Sequence, residues 1–139
     1  MKTFLVAMLV LIILIAGILV YSSTLKNIER DLLSDIEDIS DSVNREDWVN
    51  ANKQTKTLTE KWTKHEVILA MFNDHEDLDK IRLSIGNLKE SISYKNSEQT
   101  KKAITEIKIL LERLKKNDSL SLENILGLAQ YSLSYHSML

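Results

Sequence analysis

The sequence predicts an all-α protein: an N-terminal transmembrane helix that continues into an antiparallel bundle of about four helices, followed by a short C-terminal helix. Three observations lead to this prediction. Residues 4–21 are apolar at every position except Gly17, the later apolar residues recur at helical spacing, and the 139 residues include no Pro, no Cys and only three Gly. A sheet protein usually draws on Gly and Pro for its turns, and a disulfide scaffold needs cysteines. The composition therefore disfavours both classes.

The apolar run at residues 4–21 is the first element. Its helical length is about 27 Å, close to the ~30 Å hydrocarbon core of a bilayer, and it ends at Tyr21, where an aromatic residue of the membrane interface is expected. Val20-Tyr21-Ser22 would serve as a cleavage site, but the run is longer than the apolar part of a signal peptide, which favours an uncleaved anchor. We assign residues 1–21 to the anchor and residues 22–139 to an extracytoplasmic domain, because long domains translocate largely regardless of charge.

Two apolar stripes define the first half of this domain. Asn44 is predicted to cap the second helix, with Glu46 and Asp47 in its first turn, where acidic groups favour the helix dipole. The first stripe continues directly out of the apolar run at Leu25, Ile28, Leu32, Ile36, Ile39 and Val43. The second stripe advances in steps of three and four through Trp48, Ala51, Thr55, Leu58, Trp62, His65, Leu69 and Phe72.

Two further stripes follow a change of phase. We interpret Asn73 or Asp74 as a break and a new helix start, with a bent continuous helix as the alternative. Asn96 and Gln99 have the spacing of a capping box at the start of the fourth helix. The third stripe is Leu78, Ile81, Ile85, Leu88 and Ile92, and the fourth is Ala103, Ile104, Ile107, Leu110, Leu111 and Leu114. Asn117 is predicted to end the fourth helix, and a short final helix to begin near Ser119 or Ser121.

The short connections predict that sequential helices are antiparallel, because a parallel pair needs a long crossover. Net charge alternates along the chain: −4 over residues 26–44, +1 over 45–73, −2 over 74–93 and +4 over 95–116. Neighbouring antiparallel helices therefore meet with opposite charge, which favours this topology more than it adds stability.

Chemistry-bearing motifs are few. The histidines His65, His75 and His136 form neither HExxH nor the Glu-x-x-His of di-iron bundles, so the sequence predicts no metal, cofactor or catalytic residue. The acidic segment from residue 74 to residue 79 admits a weak cation site, although helix capping explains it better. The sequence has no extended basic patch, so it gives little support for nucleic-acid binding. The candidate interaction residues are Trp62, which is a contact residue or a core residue, and His65, Asp74, His75 and Glu76.

Several short motifs carry a resemblance to a known family. They are W-x-x-H from Trp62 to His65, F-N-D-H-E-D-L-D-x-I from Phe72 to Ile81, and S-L-E-N-I-L from Ser121 to Leu126. Together with the apolar run, the chain resembles a domain-of-unknown-function family of small single-span helical proteins from spore-forming Gram-positive bacteria. The resemblance implies an accessory subunit that associates with YetF-like multi-span membrane proteins, and it implies no catalytic residues.

These observations predict a single-pass cell-membrane protein that is not an enzyme. We expect a membrane-anchored interaction module whose partners are the lipid bilayer and a multi-span membrane protein or further copies of the chain. The alternative is an extracytoplasmic sensory or ligand-binding four-helix bundle, which would have to signal through a partner.

Overall fold

The computed structural model describes residues 2–71, 73–114 and 116. Its helices are α1 (Lys2–Asn44), α2 (Trp48–Leu69), α3 (His75–Ser93) and α4, over residues 97–114. No strand occurs among the described residues, and the predicted all-α helical bundle is confirmed. The short C-terminal helix, the helix end at Asn117 and His136 lie outside the described residues.

The four helices form a ring in which each contacts the next. Helix α1 packs on α2 and α2 packs on α3. The side chains of Ser91 and Thr100 join α3 to α4 through a hydrogen bond of 3.0 Å, and an ion pair of 3.9 Å between Lys108 Nζ and Glu37 Oε1 joins α4 to α1. The bundle has a near end, where α2 turns into α3, and a far end, where α1 turns into α2 and α3 into α4.

Helix α1 is unbroken over 43 residues and has two different surroundings. Its first half is an exposed apolar cylinder: the large apolar side chains from Phe4 to Val20 are 45–70% exposed, except for Ile18, which is half-buried. Its second half buries the predicted stripe from Leu25 to Val43. By length and composition, with a mean hydropathy of 3.2 in its most apolar window, α1 is able to cross a membrane.

The core is built from the predicted stripes. Every predicted stripe residue of α1, α3 and α4 is buried. The α2 stripe is confirmed at Ala51, Thr55, Leu58, Trp62 and Leu69, whereas Trp48 and His65 are half-buried. Phe72, predicted to end that stripe, lies outside the described residues.

The predicted cap at Asn44 is wrong. Asn44 is the last residue of α1, and the cap of α2 is Asp47, which accepts a hydrogen bond of 3.1 Å from the backbone N–H of Asn50. The helix continues to residue 44 because Val43 completes the buried stripe, and Glu46 then turns the chain with a left-handed φ of 58°. Backbone bonds from Glu46 N to Val43 O and from Asp47 N to Ser42 O close a Schellman motif.

The turn between α3 and α4 repeats this construction. Lys95 has φ 53°, and backbone bonds run from Lys95 N to Ile92 O and from Asn96 N to Ser91 O. Asn96 then caps α4 by accepting from the backbone N–H of Gln99, which confirms the predicted cap. Both far-end turns thus use one residue as the end of the Schellman motif and as the cap of the next helix.

Candidate functional site

The near end of the bundle is fastened to the point where the apolar run ends. The side-chain amide of Asn73 donates hydrogen bonds to the phenol oxygen of Tyr21, at 2.7 Å, and to the backbone carbonyl of Leu69, at 3.0 Å. The turn between α2 and α3 is therefore held at the level of Tyr21. The break predicted here is confirmed, because α2 ends at Leu69 and α3 begins at His75.

Three of the five candidate residues begin α3 at this end. Asp74 is the cap and accepts a 3.0 Å hydrogen bond from the backbone N–H of Glu76. Glu76 forms an ion pair of 2.6 Å with Lys80 one turn later, and this hydrogen bond raises the pKa of Lys80. His75 is exposed as the first residue of α3. The acidic groups at the start of α3 thus have structural partners, as the capping interpretation expects.

The other two candidates lie on α2. Trp62 is only 2% exposed, which makes it part of the core and leaves it almost no surface for a partner. Its indole Nε1 has no hydrogen-bond partner among the residues that the structure describes. His65, three residues further on, is half-buried near the end of the same helix. The fold therefore brings His65, Asp74, His75 and Glu76 to the near end and keeps Trp62 inside the bundle.

A charged cluster between α1 and α2 was not singled out from the sequence. Lys61 Nζ donates hydrogen bonds of 2.9 Å to Asp31 Oδ1 and of 2.9 Å to Asp35 Oδ1. These hydrogen bonds, first the one with Asp35 and then the one with Asp31, raise the pKa of Lys61. The signal in the sequence is the pair of acids four residues apart on α1, which places both carboxylates on one face of the helix.

Further ion pairs join other neighbouring helices. Between α2 and α3, Arg82 Nε donates to Glu66 Oε1 at 2.9 Å, and a second nitrogen of Arg82 lies 2.9 Å from Asp79 on its own helix. The bond with Glu66 raises the pKa of Arg82. The pair of Lys108 and Glu37 joins α4 to α1. The pair of Lys108 and Glu37 matches the net charges of its two segments, whereas the pair of Arg82 and Glu66 runs against them, and the exposure of these pairs means that each adds little stability.

The described residues contain no group of three or more His, Asp or Glu side chains placed to hold a metal ion. The polar groups at the near end cap a helix, pair within α3, or tie the α2–α3 turn to Tyr21. The near end is therefore a surface whose polar contacts cap a helix, form ion pairs and hold the turn in place.

Comparison with known proteins gives one family. No curated protein and no solved structure matches the chain. The model of the family described as "Domain of unknown function (DUF4363)" matches residues 19–125, which is more than three quarters of the chain and includes the last turn of the apolar run. The chain belongs to the DUF4363 family.

Proposed function

We propose that the chain is a membrane-anchored helical interaction module, an accessory subunit of a membrane-protein complex. Residues 1–21 form a single membrane-spanning anchor, and residues 22–139 form a domain without enzymatic activity on the extracytoplasmic side of the cell membrane. The partner is a YetF-like multi-span membrane protein or further copies of the chain. An origin in spore-forming Gram-positive bacteria belongs to the same proposal.

The continuity of α1 supports this proposal most directly. One helix carries both the exposed apolar segment and a buried face of the bundle, without a flexible joint between them. Asn73 adds a second link at the same level by its hydrogen bond to Tyr21. A domain joined to its anchor in this way has a fixed height and orientation at the membrane surface, which favours docking on a partner embedded in the same membrane.

Co-purification from native membranes in a mild detergent tests the proposal. We expect the full chain to bring down a multi-span membrane protein, or a labelled second copy of itself, in a fixed ratio. The informative variant is Ser23→Pro, at an exposed position of α1 just beyond Tyr21. Proline removes a helical hydrogen bond and kinks the helix, so the domain would leave its orientation while its core stayed intact.

The matched control is Ser23→Ala, which preserves the helix. Loss of the partner in Ser23→Pro, with the thermal transition of the bundle retained and the partner present in Ser23→Ala, is the expected result. Recovery of the wild-type chain only as a free monomer would contradict the proposal.

A second candidate, the sensory or ligand-binding bundle, is supported by a groove along α3 and α4. This open groove has a volume of about 1020 Å³, and its lining includes Glu90, Tyr94, Lys102 and Arg113. A thermal-shift screen with small organic acids, amines and divalent ions tests it. A shift that Lys102→Ala abolishes would favour this function, and the absence of a shift with every compound would remove it.

A further inference from the structure

The end of α2 and the turn that follows it expose apolar side chains that the core does not use. Val67, Ile68 and Met71 are 67%, 44% and 72% exposed; Val67 and Ile68 lie in the last turn of α2, and Met71 follows three and four residues later, just beyond the end of the helix. Elsewhere in the described bundle the large exposed apolar side chains are isolated from one another along the chain: Val49, Leu83, Tyr94 and Ile109. We call Val67, Ile68 and Met71 the apolar turn.

The outer face of α2 changes character abruptly at this point. Between Asn52 and Lys64 its exposed residues are polar or charged: Asn52, Lys53, Lys56, Thr57, Glu60, Thr63 and Lys64. From residue 67 the exposed residues are apolar. Neighbouring exposed apolar side chains on an otherwise polar face favour a contact surface at this end of α2.

The height of the apolar turn follows from two contacts between α1 and α2. Lys61 faces Asp31 and Asp35, and Asn73 bonds to Tyr21, so the two helices run antiparallel in a constant register. At 1.5 Å per residue, Met71 lies about 3 Å and Val67 about 9 Å beyond the level of Tyr21. If Tyr21 marks the end of the hydrocarbon core, Met71 lies within the headgroup layer, which is about 5–7.5 Å thick, and Val67 lies at its outer edge; apolar side chains of interfacial helices insert into this layer.

We infer that the apolar turn inserts into the interfacial region of the bilayer beside α1 and gives the domain a second contact with the lipid. This inference rests on the proposed membrane anchor. The occupant is lipid because the apolar turn is continuous in height with the exposed apolar surface of α1. Three side chains are also far fewer than the roughly 20–30 residues that each partner contributes to a standard protein interface.

The insertion is confined to one side of the turn. Asp74 and Glu76, which begin α3, are exposed and charged, and burying a carboxylate in lipid is costly. Lys64, one turn before the apolar turn on α2, is exposed and charged, which limits the apolar surface on that side as well. Because Asp74 follows Asn73, which lies at the level of Tyr21, the insertion requires the bundle to tilt so that the end of α2 faces the lipid and the start of α3 faces water.

Because the chain contains no cysteine, single cysteines can report depth. Met71→Cys, Val49→Cys and Ile12→Cys are each labelled with a polarity-sensitive fluorophore in the full chain and reconstituted into phosphatidylcholine–phosphatidylglycerol vesicles that carry headgroup- or acyl-linked nitroxide quenchers. Val49 is the matched control, because it is an exposed apolar residue of α2 at the far end of the bundle. Ile12 lies in the middle of the apolar run and reports on the anchor itself.

We expect the headgroup nitroxide to quench the Met71 label at least about threefold more strongly than the Val49 label, and the acyl nitroxide to quench the Ile12 label. Quenching at Ile12 with equal, weak quenching at Met71 and Val49 would overturn the inference while the anchor stands, and would leave the apolar turn to a protein partner. Absence of quenching at Ile12 would instead overturn the anchor on which the inference rests.

Discussion

Truncation of Trp62 tests the assignment of this residue to the core. Trp62 is the largest of the fully buried side chains and is 2% exposed on the second helix of the bundle. Trp62→Ala removes the indole and leaves a cavity that the surrounding Leu and Ile side chains fill only in part. Changes of this kind cost about 3–5 kcal/mol, which is a large share of the ~5–15 kcal/mol that stabilises a typical domain.

The expected effect is large enough to read from urea unfolding of the full chain in detergent micelles, followed by circular dichroism at the helical minimum. With a denaturant slope of about 1.5 kcal/mol per M, the midpoint should fall by about 2–3 M. Val49→Ala is the matched control on the same helix, because Val49 is 85% exposed and its truncation should change stability by about 0.5 kcal/mol or less.

Trp62→Phe separates packing from the unpartnered indole N–H. Phenylalanine retains one aromatic ring and removes a buried donor whose lack of a partner costs about 1–3 kcal/mol. The loss of apolar contact and the removal of this penalty oppose each other, so the net change should stay within about 1 kcal/mol. A Trp62→Ala midpoint equal to that of Val49→Ala, with helicity retained, would refute the core assignment.

Three further changes probe the ion pairs, the caps and the turns, each by the same unfolding measurement. The hydrogen bond with Asp35 raises the pKa of Lys61, so this pairing stabilises the fold below pH 10.5 and is lost as the pH rises through the folded pKa. The difference between wild type and Lys61→Met should be about 1 kcal/mol or less at neutral pH and should disappear in strong alkali; a difference that grows with pH would contradict it. Asp74→Ala should cost about 1 kcal/mol through loss of the cap, and Asp74→Asn should recover most of it. Glu46→Gly should stabilise the protein by about 0.5–1 kcal/mol relative to Glu46→Ala, because φ is 58° there; equal stabilities would show that this backbone carries no strain.

The stripes were predictable because burial imposes a period on the sequence. A helix that packs on one side must place an apolar residue every three or four positions, and the stripe on α3 meets this condition from Leu78 to Ile92 without exception. The change in the phase of the stripe placed the start of α3 at Asn73 or Asp74, of which Asp74 is the cap, and the spacing of Asn96 and Gln99 located the cap of α4.

The turn after α1 was not predictable from residue preferences. Asn is a good helix cap and acidic groups favour the first turn of a helix, so the sequence predicts a cap at Asn44 with Glu46 and Asp47 behind it. In the structure the left-handed position falls on Glu46 and the cap on Asp47. The deciding factor is the core: Val43 must still be helical to be buried, so the turn begins later than the local preferences suggest.

The near-end site was predictable in position but not in its contacts. The cluster of polar residues at the start of α3 and the aromatic Tyr21 were visible separately in the sequence. They are connected through Asn73, which lies far from Tyr21 in the sequence. The spacing of apolar residues within each helix does not reveal how two helices align with each other, so this contact was not predictable. The cluster of Lys61 with Asp31 and Asp35 escaped notice for the same reason.

Charge explains why the ring of helices has this order. The α1 and α3 segments are both net negative, and the α2 and α4 segments are both net positive, so like charges occupy the diagonals of the bundle. Any order that made α1 and α3 neighbours would bring like charges together. In the observed order, Lys61 of α2 and Lys108 of α4 each pair with acidic residues of α1, as the net charges of the segments expect, whereas the pair of Arg82 on α3 with Glu66 on α2 runs against them. Each pair is too exposed to add much stability. Because the apolar stripes alone would allow more than one order of helices, the combined role of the charges is to disfavour the wrong order.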